Sequence, residues 1–156
     1  MTTARDYLGL TKPRVIPLLL LVTLATMLLA SEGAPSWMAI SVTLLGGTLA
    51  IGGAQALNAY IDRDLDRKME RTRNRPLAAG RISPASALVF GITLATVSFI
   101  VMGLVVNLMS ALLTLGALAY YVVVYSRLLK LRTAQNIVIG GAAGAAPALI
   151  GWAAAT

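Results

Sequence analysis

A chain of 156 residues that is 58% hydrophobic and 12% charged, with no Cys and no His, cannot hide its apolar side chains in a soluble fold, where roughly 45–50% apolar and about 25% charged is usual. The same figures exclude disordered, collagenous and disulfide-stapled chains. An integral membrane protein remains, and its net charge of +7 then reports topology and a lipid bilayer, with no nucleic acid implied.

Charge-free runs place the elements. Residues 15–31, 33–61, 82–126 and 133–156 carry no charge, and a helix rising ~1.5 Å per residue crosses the ~30 Å hydrocarbon core in about 20 residues. The longest run is therefore two crossings and a hairpin at 103–107. Five spans are expected, near 13–31, 37–58, 84–104, 108–126 and 135–155. The first is short and holds Pro13 and Pro17, and no small-residue cleavage site marks it as a signal peptide. Thr11 ahead of Pro13, and Ser83 ahead of Pro84, read as helix N-caps followed by an early proline. Residues 33–36 read as an outer turn. The glycines at 46, 47, 52, 53, 140, 141 and 144 read as close helix packing, and Trp37 and Trp152 as interface anchors.

With five spans, all 13 basic residues fall on one side and only Glu32 on the other. Cytoplasmic loops collect Lys and Arg, so the N-terminus and the 59–83 and 127–134 loops are expected to be cytoplasmic, in the plasma membrane.

The acids, which topology does not require, cluster where the second span ends. Asn58, Asp62 and Asp66 recur every fourth residue, one polar stripe on a helix. Two carboxylates a turn apart repel each other, and a cation between them would remove the conflict. Oxygen-only donors with no His or Cys suit Mg²⁺, which takes one or two carboxylates plus substrate phosphates. The alternative is a solvated helix end, with Asp62 and Asp66 neutralised by Arg63, Arg67 and Lys68. Asp64 points away from the stripe and is expected to pair with a neighbouring base.

Arg71 and Arg75 follow just beyond, with the planar donor fork that fits phosphate oxygens, whereas Arg73 and Arg81 read as topology. In the second cytoplasmic loop Tyr121 and Tyr125 share a helix face, with Lys130 a little over a turn beyond. Two tyrosines at a membrane boundary are ordinarily anchors.

The pattern Asn58-x3-Asp62-x3-Asp66 followed by Arg71-Thr-x-x-Arg75-Pro-Leu resembles the first Asp-rich motif of the UbiA superfamily of intramembrane prenyltransferases. Leu10-Thr-Lys-Pro-Arg14, Ala59 directly after the motif Asn, and the stretch 133–152 are similar to its protohaem IX farnesyltransferase branch. The resemblance implies an all-α transmembrane bundle, this chain supplying the first five of about nine helices and lacking the second Asp-rich motif. It implies transfer of farnesyl from farnesyl diphosphate to the vinyl group of haem B, giving haem O. Asn58, Asp62 and Asp66 would hold Mg²⁺ and diphosphate, Arg71 and Arg75 would grip the phosphates, and Lys130 with Tyr121 or Tyr125 would close over them. Two other readings stay open. One is a UbiA-type enzyme acting on an aromatic or quinone precursor. The other is a non-enzymatic cation-binding subunit, with Asp62 and Asp66 along a wet pathway inside the bundle.

Overall fold

The computed structural model describes residues 3–31, 35–130 and 132–156, with six helices and no strand among them. In chain order they are α1 (Ala4–Leu10), α2 (Ile16–Ala30), α3 (Trp37–Lys68), α4 (Pro84–Val105), α5 (Leu108–Ala119) and α6 (Asn136–Ala155). α5 runs on without a break into a π-helical segment, Tyr120–Leu129. Four of these rods are long and apolar enough to cross a membrane: α3, α4, α5 with its π continuation, and α6. The apolar α2 has 15 residues. The chain is an all-helical, multi-pass membrane protein.

The first expected span is the one that changes. α2 starts at Ile16 behind Val15, with no side-chain cap and with Pro17 in its first turn. Thr11 caps nothing there; its hydroxyl donates to the Leu8 carbonyl at 2.8 Å and finishes α1. Lys12 precedes Pro13, and helical geometry is disfavoured there. Lys12 takes a left-handed turn instead, with φ 47°, at a cost of roughly 1–2 kcal/mol for a residue with a Cβ. Ser83 does cap α4, accepting from the Ser86 amide at 3.0 Å. Of the expected outer turn, residues 33 and 34 lie outside the described residues, as does Glu32; Ser36 caps α3 by accepting from the Ala39 amide at 3.1 Å. Trp37 and Trp152 are exposed, at the end where α3 starts and α6 finishes.

Glycines set the close crossing of α3 and α4. A Cβ on Gly53 would meet the Gly91 carbonyl oxygen at 2.9 Å and the Ala95 nitrogen at 3.1 Å, both backbone atoms of α4. The Ser98 hydroxyl donates to the Gly46 carbonyl across the same interface, 2.7 Å away and buried. Such small-residue contacts replace the hydrophobic drive that lipid removes. Gly141 and Gly144 differ from the packing expectation, because nothing lies within 4 Å of where their Cβ atoms would be. They face a cavity.

At the charged end the 69–83 loop is folded, not loose. Leu77 and Ile82 are buried in a cluster with Leu10, Ala56, Ala59 and Ala87. Gly80, at φ 75°, makes the left-handed turn that returns the chain so that the Arg81 amide reaches the Pro76 carbonyl at 2.9 Å. Arg67 donates to the Ala78 carbonyl at 3.1 Å and the Thr72 hydroxyl to the Asp66 carbonyl at 3.1 Å. α1 is tied to this loop by Arg81 and Asp6, 2.9 Å apart. The Arg81 hydrogen bond, helped by the Thr3 amide and hydroxyl, holds the Asp6 carboxyl below the ordinary range.

Candidate functional site

α3 overshoots its expected span and carries the acidic stripe on its last turns, so Asn58, Asp62 and Asp66 share one face and are buried, at 2%, 5% and 5% exposure. Burying two carboxylates is costly unless each is paired, and each is. Lys130 Nζ lies 2.5 Å from Asp62 Oδ2, and Arg75 Nη1 lies 3.0 and 2.8 Å from the two oxygens of Asp66. Arg63, Arg67 and Lys68 take no part in neutralising the stripe: Arg63 pairs with Asp64 at 2.9 Å, as expected for that acid, and Arg67 lies 3.9 Å from it. The physical reason is helical geometry, which turns the sequence neighbours to the outer face.

Each counter-cation is delivered by a different device. Arg75 is set over Asp66 by the buried anchors Leu77 and Ile82 on its own loop. Lys130 ends the π segment, its amide donating to the Tyr125 carbonyl at 2.9 Å. Stretches of π-helix are rare and concentrate at functional sites; this one also aligns Tyr121 and Tyr125 in a stack, 5.4 Å between centroids and 22° between planes. Both rings are half-buried, and Tyr121 lines the cavity described below. A Cβ at Gly140 would collide with the Tyr125 ring, so α6 meets the stack with bare backbone.

Arg71 stands apart. It is exposed and makes no ion pair with the stripe among the described residues. Lys12, which the sequence reading left to topology, lies where the charges of the site act on it. Burial pushes the Lys12 amine below its ordinary value of 10.5, and the nearby charges of Arg75 and then Lys130 push the same way, while Asp62 and Asp66 push back. Four charged groups of this site thus act on one amine. The signal in the sequence was local: a lysine directly before a proline between two helices, forced into an unusual turn.

Lys12 also lines the mouth of a cavity of about 480 Å³ running into the bundle. The walls are mostly apolar, with Ala50, Ala54, Gly144 and Pro147 among them, and Gln55 and Tyr121 lie toward the charged end. That volume is in the small-ligand range, roughly 300–1,000 Å³. An anion-attracting rim over a dry chamber is an arrangement for an amphiphile with a charged head and a hydrocarbon tail.

A metal fits the stripe. Asn58 Oδ1 is buried with no hydrogen-bond partner, and the two carboxylates next along the face are held by cations. Three oxygen donors aligned in this way suit a hard divalent ion. No group of three His, Cys, Asp or Glu that could hold a metal is found among the described residues, so a metal there would draw on the amide as well as the two acids.

A model of the "UbiA prenyltransferase family" matches residues 19–156. Proteins named protoheme IX farnesyltransferase are 57% identical in Streptomyces avermitilis and 51% identical in Synechocystis sp., each over 152 residues and 97% of this chain. The match covers 50% and 48% of those proteins, so the chain spans about half the length of the curated relatives it matches. Among solved structures, a UbiA homolog from Archaeoglobus fulgidus bound to GPP and Mg²⁺ superposes with a TM-score of 0.82 at 22% identity, over 96% of this chain and 54% of that one. A structure described for digeranylgeranylglyceryl phosphate synthase gives a TM-score of 0.84 at 18% identity, over 97% and 53%. These two likenesses bear on the fold.

Proposed function

Because the chain belongs to the UbiA prenyltransferase family, we propose that it forms the donor-binding part of an enzyme that transfers farnesyl from farnesyl diphosphate to a vinyl group of haem B, making haem O. The observation that carries the donor side is the buried stripe of Asn58, Asp62 and Asp66, its acids paired with Lys130 and Arg75, with Lys12, whose amine feels these charges, on the wall of an apolar cavity. The acceptor side is supported by relatives at 51–57% identity that bear the name protoheme IX farnesyltransferase. The basic ends support a reading in which the N-terminus and the stripe are on the cytoplasmic side of the plasma membrane.

Asn58, Asp62 and Asp66 would hold Mg²⁺, which when bound neutralises diphosphate charge as the leaving group departs. Lys130 and Arg75 exchange their carboxylates for phosphate oxygens. Lys12 adds a third positive charge at the rim, and the three together favour the negative charge that grows on the departing diphosphate. The tail lies in the cavity, where the apolar walls keep water from the allylic cation. Tyr121 and Tyr125 close the wall beside it.

The test is Asp62→Ala in the protein expressed from its own gene, reading haem O formation and Mn²⁺ binding together. Loss of both supports the assignment; retained Mg²⁺-dependent turnover would sink it. Replacing haem B by an aromatic acid acceptor tests the acceptor, since product from the acid alone overturns the haem reading.

A further inference from the structure

One polar group in the cavity is not accounted for by diphosphate or metal. Gln55 lies one turn before Asn58 on α3, toward the membrane interior, and is 8% exposed. Its Nε2 donates to the Tyr121 hydroxyl at 3.4 Å. Oε1 is buried and has no hydrogen-bond partner, and Gln55 lines the cavity that would take the tail. A buried carbonyl dipole left uncompensated costs stability. An apolar residue would be the cheaper choice for a greasy wall.

We infer that Gln55 is a catalytic residue whose amide oxygen meets the positive charge of the allylic cation. This rests on the prenyl-transfer reading. A prenyl tail is hydrocarbon and offers Oε1 nothing while the diphosphate is intact. When the C1–O bond breaks, both electrons leave with the diphosphate and the positive charge spreads over the two ends of the allyl unit. That carbon unit is the first part of the tail beyond the stripe, and a rise of ~1.5 Å per residue sets Gln55 only ~4.5 Å along the helix from Asn58. The acceptor's π pair then forms the new carbon–carbon bond, and the charge it inherits is discharged when water adds and releases a proton. Gln55 is thus unpaired in the ground state and paired only as charge separates, which is the condition for raising kcat without tightening substrate binding.

The sign of every effect differs from that of a structural glutamine. Gln55→Leu removes the uncompensated dipole, so the melting temperature stays equal or rises. In the protein expressed from its own gene, kcat falls about 30-fold, somewhat less than for loss of one oxyanion-hole donor, and KM for farnesyl diphosphate is unchanged. A binding measurement needs no turnover: a geranyl-dimethylammonium ion, with Mg²⁺ and inorganic diphosphate, mimics the separated charges. Gln55→Leu weakens that cation by about the same factor, and leaves a neutral hydrocarbon of the same shape unaffected. Equal loss for both analogues, no loss for either, or a lower melting temperature with a raised KM would overturn the inference. If the wild-type protein fails to modify haem B but still prefers the ammonium analogue through Gln55, the acceptor reading falls and this one stands.

Discussion

Lys130 and Asp62 meet at 2.5 Å although 68 residues separate them in the chain. The ammonium is a tethered cation on the carboxylate that a metal would use, and Arg75 does the same for Asp66. The stripe is self-neutralised, so a metal must displace an intramolecular partner and diphosphate gives that partner somewhere to go.

Lys130→Met should therefore tighten Mn²⁺ binding in the absence of diphosphate, by about tenfold or ~1.4 kcal/mol. Electron paramagnetic resonance of free Mn²⁺ measures it. Lys12→Met removes the same charge from the same region without breaking an ion pair to the stripe, and should have a smaller effect. Equal gains would mean that a diffuse field, not the ion pair, opposes the metal. Asp62→Asn should abolish the gain.

Lys12→Met should raise the melting temperature at neutral pH while weakening inorganic diphosphate. The native amine is held below 10.5, so between that depressed value and 10.5 the unfolded chain binds more protons and stability rises with pH. Below the window the wild type carries the cost of a buried cation near Arg75 and Lys130; above it the amine is neutral in both states. The advantage of the variant should fade as pH approaches 10.5, and a constant difference across pH would refute the cause.

Gly53→Ala puts a methyl against the Gly91 oxygen and Ala95 nitrogen, neither of which has a side-chain rotamer to change. α3 and α4 must separate, at a cost of about 1–3 kcal/mol. Gly141→Ala, which meets nothing within 4 Å, should leave stability unchanged and reduce the room for the tail. Thermal unfolding in detergent and binding of a hydrocarbon analogue separate the two.

Leu77→Ala empties a buried site beneath the 69–83 loop, which costs roughly 2–5 kcal/mol. Arg75 loses its placement with it. Diphosphate affinity should fall even though no phosphate-facing group is changed, and Leu77→Met should restore most of it.

The stripe and the Ser83 cap were legible because each is a local pattern, a period of four and a hydroxyl before a proline; of the five spans expected, four are helices long and apolar enough to cross a membrane, and the first holds a helix of 15 residues. Asp64 followed from the same periodicity. What stayed hidden was tertiary. Sequence neighbours Arg63, Arg67 and Lys68 were the natural partners for the stripe, yet helical rotation sends them outward and Lys130 arrives from another helix. Arg71 and Arg75 looked alike on paper, but only Arg75 pairs with Asp66, from a loop anchored by Leu77 and Ile82, while Arg71 stays exposed. The π segment has no simple sequence signature, so the tyrosines read as anchors although they stack on each other and Tyr121 lines the cavity.

The length of α3 has one more consequence. Its 32 residues make a rod of ~48 Å, against a hydrocarbon core of ~30 Å. The same rigid element packs its glycines against α4 and carries its acids on its last turns. A ligand laid along it has its water–oil boundary drawn at a fixed carbon, and a bilayer of different thickness would move that boundary along the ligand like a gauge sliding on a ruler.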